Sequence, residues 1–253
     1  PRSSLEAMEF LDAMLRPEGP DSLPPPPKPG PSRGVPPSAT GLLAEQGFVR
    51  LQGWLHGSMG LVEQMRDAAL DLAALNEHRW QNMFSARSQF TWTRCAGCRH
   101  FLLHARLGGL AKALLGAERM RLVEDAVLDL TEGWPGLHWH VDTEPNTEAV
   151  FGSLVPGTRG VSLWIPLLVN RTLGGELALA AADGKCGARF AAYPEDEDRV
   201  CYEQLERSKV LPDFEVGDVF AMDSGVWHRT EAIVGRRLVY FVRFAAADAL
   251  LLR

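Results

Sequence analysis

Two histidines and an aspartate are the residues of this chain best placed by type and spacing to hold a metal. His140 and Asp142 close the segment Trp134-Pro135-Gly136-Leu137-His138-Trp139-His140-Val141-Asp142. Side chains at i and i+2 of a strand leave on the same face. A strand over 137–142 would therefore project an imidazole and a carboxylate together, with His138 on the same side. Alone, a His-x-Asp pair is commonplace, and its plain reading is a hydrogen-bonded pair. A second segment adds weight. Val216-Gly217-Asp218-Val219-Phe220-Ala221-Met222 reads as a turn feeding a strand, and His228 follows at the head of the next β-run. Arg237 comes nine residues later and opens the apolar run 238–244.

Two imidazoles and one carboxylate on one face of an ion leave its remaining positions open. That donor set suits iron(II) in a non-haem centre. The open positions can take a bidentate 2-oxo acid and dioxygen. The far carboxylate of 2-oxoglutarate then needs a rigid, permanently charged partner, and a guanidinium on a neighbouring strand supplies one. Strand alternation leaves that partner open. Arg236 shares a face with Leu238, Tyr240, Val242 and Phe244, whereas Arg237 shares one with Val239, Phe241 and Arg243.

The elements that must position these groups follow from pattern. Residues 47–51 read as a strand. A helix is predicted over 61–75, with Leu61, Met65, Ala68, Ala69 and Leu72 along one face. Another is predicted over 101–115, ending at Gly116 as its cap. Short apolar runs then alternate with Gly, Pro, Asp and Asn. They predict strands near 120–130, 137–142, 161–168, 175–181, 187–192, 214–222, 226–231 and 237–244, interrupted by one helix over 195–207. The economical summary is a mainly β fold, a jelly roll with supporting N-terminal helices. The domain reading places a proline-rich N-terminal segment at 1–40 and the folded body at 41–253. The first segment holds 11 of the 17 prolines, a composition that favours extended polyproline conformations. Before the prolines, 3–15 could form a short helix; its plain reading is a weakly docked element, its sharper one a tethered helix giving weak partner binding.

Composition bounds the function. A 46% hydrophobic fraction over 253 residues is ample for a sizeable core. The net charge of −6 argues against a protein that grips nucleic acid by its backbone. No apolar run approaches the roughly 18–20 residues a membrane span needs. The chain opens on Pro1-Arg2-Ser3-Ser4, without a signal-peptide layout or an initiator Met. That start is consistent with a tag or a processed leader. Four cysteines in a chain this long suggest free, partly buried thiols rather than a disulfide framework, and so a reducing, cytoplasmic setting.

The motifs taken in order resemble the phytanoyl-CoA dioxygenase family over roughly 41–245. Gly47-Phe48-Val49-Arg50-Leu51 is similar to its opening strand, and Arg121 to Leu128 to the strand before the metal motif. Trp139-His140-Val141-Asp142 resembles its Trp-His-Gln-Asp signature. Ser162-Leu163-Trp164-Ile165-Pro166-Leu167, then Gly174-Gly175-Glu176-Leu177, resemble its next two strands and the turn between them. Gly217-Asp218-Val219-Phe220 leads to the distal histidine in the family's order. The resemblance implies a double-stranded β-helix and assigns roles residue by residue. His140, Asp142 and His228 would bind Fe(II). Arg237 would pair with the far carboxylate of the co-substrate 2-oxoglutarate, assisted by Thr230. Trp164 and Val127 would line the co-substrate pocket. It further implies hydroxylation, or a related oxidation by dioxygen, of a C–H bond in a small-molecule substrate, with release of succinate and CO2. An intact Asp142 favours oxidation over halogenation. The chain departs from the family at Val141, where Gln is usual, and at Ala180-Ala181-Ala182-Asp183, where the family carries Pro-Gly-Ser-His.

Other features carry blander readings. His138 reads as a neighbour of the site, and His100 and His104 as packing or solvent residues. Cys95-Ala96-Gly97-Cys98 has zinc-ligand spacing but lacks a second pair. The acidic run 195–198 suits a helix N-terminus. The aromatic stretch 80–92, with Arg87, could form a lid or simply pack. Glu144, Asn146 and Trp134 are substrate-contact candidates by position alone. Two rival functions stand beside the main one: an oxygenase acting on a protein or nucleic-acid side group, and a non-catalytic ligand-binding β-barrel.

Overall fold

The structure is a computed structural model, and it describes residues 34–74, 90–142, 158–169, 176–180, 186 and 199–248. The expected helix over 3–15, the strand near 187–192, the run 195–198, Arg87, Glu144 and Asn146 lie outside the described residues.

Helix α1 (Pro37–Gln46) begins with a proline in its first turn, where the missing N–H costs no hydrogen bond. It spans the expected boundary at 40/41 and buries Ala39 and Leu43. Gly47 ends it at φ 82°, its N–H returning to the Leu43 carbonyl. Strand β1 (Phe48–Leu51) follows, then helix α2 (Met59–Ala74). Of the face expected from periodicity, Leu61, Met65 and Ala69 are buried and Ala68 and Leu72 half-buried, while Val62 and Ala73 of α2 are buried as well. The single helix expected over 101–115 is two: α3 (Ala96–His104) and α4 (Leu107–Leu115). The break is at Arg106, held at φ 56°, which no helix accommodates.

The remaining strands are β2 (Met120–Thr131), β3 (Gly160–Val169), β4 (Leu177–Ala180), β5 (Val219–Asp223), β6 (Trp227–Thr230) and β7 (Arg236–Ala246), with helix α5 (Arg199–Ser208) between β4 and β5. Five of them form an antiparallel sheet in the order β1-β5-β3-β7-β2, and β4 pairs with β6 in a second, smaller sheet. The expected strand over 137–142 is reduced to isolated bridge residues at Trp139 and His140, with His140 opposite His228.

Alternation sorts the large sheet's side chains into two cores. Val127, Leu163, Ile165, Leu238, Tyr240 and Val242 pack on the helices. Ala126, Leu128, Trp164, Phe220, Met222 and Val239 point the other way and meet Leu177 and Leu179 of the small sheet. This is the double-stranded β-helix, with helices against the outer face of its larger sheet. The space between the two sheets is where the predicted metal residues converge.

The cysteines correct one expectation. Cys95 pairs with Cys98 and Cys186 with Cys201, and no described cysteine is free. Cys95 caps α3, so the chain's first turn brings Cys98 beside it. Cys201, in the first turn of α5, lies 5.2 Å from Cys186 between Cα atoms, within bridging distance. The argument for a reducing compartment rested on free thiols and loses that support. Among the described residues no helix is long and apolar enough to cross a membrane.

Candidate metal centre

His140 and His228 face each other as a directly paired couple. Each backbone N–H donates to the other's carbonyl at 3.0 Å, and the ring centroids lie 4.1 Å apart. The pairing is set by two short stretches of chain on different elements. Gly136, at φ 93°, lets the segment before His140 approach β6 so closely that a Cβ there would sit 2.3 Å from the Thr230 carbonyl oxygen. Leu137 N–H then donates to that same carbonyl at 2.9 Å. Only glycine fits this approach.

Both imidazoles are oriented by backbone carbonyls. His140 Nδ1 lies 2.8 Å from the His138 carbonyl oxygen, and His228 Nδ1 lies 3.0 Å from that of Val226. A carbonyl only accepts, so each Nδ1 carries the proton and each Nε2 presents a bare lone pair. Burial, then the neighbouring His228, pushes the His140 imidazole down to about 3, so it stays neutral at any ordinary pH. Asp142 completes the group. Its Oδ1 lies 3.6 Å from His228 Nε2, and donor atoms of all three residues fall within 4.8 Å of one another. Burial alone would raise the Asp142 carboxyl, but Arg243, the two histidines and the Ser162 hydroxyl together hold it below its ordinary range. His138 offers its backbone carbonyl and is not in the donor group, as its bland reading expected.

Further along the same interior lies Arg237, 6% exposed. Its guanidinium sits 4.4 Å from the Phe214 ring centroid and 5.7 Å from that of Trp164. Nη1 has no hydrogen-bond partner. Burial, eased by the charge of Glu176, pulls its pKa down to about 10, which still leaves it cationic. Thr230 is buried at the end of β6, opposite Leu177. Trp164 and Trp134 belong to the same interior core. Val127 does not. It pairs with Tyr240 in register and packs on the helix side, because residues 124, 126, 128 and 130 of β2 face inward and 127 faces out. Val127 thus faces the helices, and Ala126 and Leu128 hold the inward positions.

Sequence reasoning missed Phe214, Ser162, Glu124 and Arg243. Ser162, Glu124 and Arg243 are buried polar residues on apolar strands. That placement is a usable signal, since burying a charge without a partner is costly. Nothing local marked Phe214.

No family model and no curated relative matches this chain. Solved structures do. A non-heme alpha-ketoglutarate-dependent carbocyclase, SnoK from nogalamycin biosynthesis, is 19% identical at a TM-score of 0.66, covering 88% of this chain and 89% of its own. EctD from S. alaskensis, solved with 2-oxoglutarate and 5-hydroxyectoine, is 17% identical at a TM-score of 0.66, covering 96% and 83%. The epimerase SnoN, solved with Fe3+, alpha-ketoglutarate and nogalamycin RO, is 19% identical at a TM-score of 0.60, covering 85% of each chain. At these identities the likeness establishes the fold. The chain has the double-stranded β-helix of non-heme iron, 2-oxoglutarate-dependent enzymes, and its His140, Asp142 and His228 form a group that could hold iron.

Proposed function

We propose that this protein is a non-haem iron(II), 2-oxoglutarate-dependent oxygenase acting on a small molecule. One observation carries the reading. A converged two-histidine, one-carboxylate donor set shares its interior with a buried arginine whose Nη1 lacks a hydrogen-bond partner. A buried cation with an unused donor calls for an anion, and a dicarboxylate chelated at the donor set would present one.

His140, Asp142 and His228 would hold iron(II), the histidines through the Nε2 atoms their Nδ1 hydrogen bonds leave bare. Arg237 would bind the far carboxylate of 2-oxoglutarate, with the Thr230 hydroxyl beside it and Trp164 and Phe214 closing the wall. Held by these residues, iron(II) would supply the coupling of 2-oxoglutarate decarboxylation, to succinate and CO2, with oxidation of the substrate by dioxygen. The protein's own part is to orient both partners and exclude water, which the aromatic lining favours. Hydroxylation is the simplest outcome for a substrate C–H bond, and the motif order still resembles the phytanoyl-CoA dioxygenases. The structural neighbours include a carbocyclase and an epimerase, so a related reaction stands beside hydroxylation in this proposal.

Anaerobic titration with iron(II) and 2-oxoglutarate tests the reading. The weak visible charge-transfer band of the chelate is expected in the wild type and absent in His140→Ala. A folded wild-type protein that never shows the band overturns the proposal and brings forward the non-catalytic ligand-binding barrel.

A further inference from the structure

The Asp142 carboxylate is held from both sides by residues outside the donor set. Ser162 Oγ donates to Oδ2, and Arg243 Nη2 donates to Oδ1. Arg243 Nε also donates to Ser162 Oγ at 3.4 Å, and Nη1 donates to Glu124 Oε2 at 3.3 Å. The guanidinium lies 5.2 Å from the centroid of the Phe241 ring. Strand register explains the assembly: Glu124 on β2, Arg243 on β7 and Ser162 on β3 are consecutive partners on one rung of the large sheet. All are buried, Ser162 completely and Glu124, Asp142 and Arg243 to within 9%. A buried carboxylate–guanidinium–carboxylate set adds little net stability, because desolvation offsets the attraction. What it does supply is a fixed geometry.

We propose that Arg243, with Ser162, is a positioning residue that restricts Asp142 to a single coordinating oxygen. The inference rests on the oxygenase reading above. A free carboxylate can turn to offer both oxygens to one ion. Here each oxygen already accepts a strong hydrogen bond from a different strand, so rotation of the group breaks one of them. Three protein donors leave three positions of an octahedral ion for a chelating 2-oxo acid and dioxygen. A second oxygen from Asp142 would take one of the three. The clamp keeps that position available to the co-substrate. Glu124 acts through Arg243 by holding the guanidinium in place.

The test compares iron(II) affinity alone with 2-oxoglutarate affinity of the iron-loaded protein, both under anaerobic conditions. The variants are Ser162→Ala and the paired change Arg243→Met with Glu124→Gln, which removes the Arg243–Glu124 ion pair as a whole and leaves Asp142 to the Ser162 hydroxyl and the metal. Outer-shell changes of this kind cost about 10–100-fold. The 2-oxoglutarate affinity of the iron-loaded protein is expected to fall about tenfold or more beyond any loss of iron(II) affinity, and the visible band to weaken or shift. Arg243→Lys should recover part of the loss. Unchanged 2-oxoglutarate affinity and an unchanged band in both variants overturn the proposal. So does a loss of iron that accounts in full for the loss of 2-oxoglutarate. The wild-type titration separates the two levels. A wild type without the band sinks the oxygenase reading and the clamp with it, whereas a normal wild type beside unaffected variants sinks only the clamp.

Discussion

Arg236 and Arg237 are neighbours in sequence and face opposite sides of β7. Arg236 forms a two-point pair with Asp129, at 2.8 and 3.0 Å, near the surface. Arg237 points between the sheets with Nη1 unpartnered. If Arg237 binds the co-substrate's far carboxylate, Arg237→Met removes charge-assisted hydrogen bonds contributing about 1.5–3 kcal/mol, a loss on the order of 10–100-fold in 2-oxoglutarate affinity. Steady-state kinetics should show this as a raised KM for 2-oxoglutarate. Arg236→Met should leave that KM unchanged and alter stability by no more than about 1 kcal/mol, since its pair is partly exposed. Equal effects from the two substitutions would refute the assignment.

At the scale of elements, two joints fix neighbouring segments, one at the donor group and one on the helix side of the sheet. Gly136 is the first. An alanine there adds a Cβ 2.3 Å from the Thr230 carbonyl and a strained positive φ, so β6 must shift. Gly136→Ala is expected to destabilise by about 2–4 kcal/mol in chemical denaturation and to weaken iron binding, because β6 carries His228. The second joint ties the turn before α3 to β2. Thr91 Oγ1, the Trp92 N–H and Tyr240 OH all donate to the buried Asp125 carboxylate. Burial raises the Asp125 pKa to about 6 despite these donors, against an unfolded value near 3.9. The folded state therefore binds the proton more tightly than the unfolded one. The resulting stabilisation is complete below the unfolded value and is lost as pH rises through about 6. Urea denaturation from pH 4 to 7 should show the stability of wild type relative to Asp125→Asn declining up to about pH 6 and then levelling off. A difference that rises with pH would contradict the sign.

Across the whole molecule, the large sheet separates a largely apolar core from one that carries the donor set. Its helix-facing side is filled by aliphatic residues with Tyr240 and Phe101. Its inner side mixes apolar residues with the charged rung and the donor set. The Cys186–Cys201 bridge links α5 to the chain that leaves β4. Its sequence separation of 15 corresponds to a stabilisation of about 3 kcal/mol in the chain-entropy picture. Replacing both cysteines with serine should lower Tm by roughly 6–12 °C in a chain of this size. The Cys95–Cys98 bridge closes only one helical turn, so its removal should matter much less. Calorimetry on the two double variants measures both.

What the sequence by itself determined was local. Continuous apolar runs marked the long strands β2, β3 and β7, because a sheet buried on both faces must be apolar along its length. The helical stripe marked α2, and donor type and spacing marked His140, Asp142 and His228. The paired cysteines, the break at Arg106 and the outward face of Val127 were not legible. The Cys186–Cys201 pairing and the outward face of Val127 depend on which distant segment lies alongside. Only the tertiary structure decided between Arg236 and Arg237 as the inward-facing residue. Period-2 alternation divides a strand into two faces but does not say which one looks inward. The same limit hid the Glu124–Arg243–Ser162 rung. Its members are separated by as many as 119 residues in the chain and become neighbours only when β2, β7 and β3 pair in register. Donor identity is written in the sequence, whereas the geometry that restrains a donor is a property of the assembled sheet.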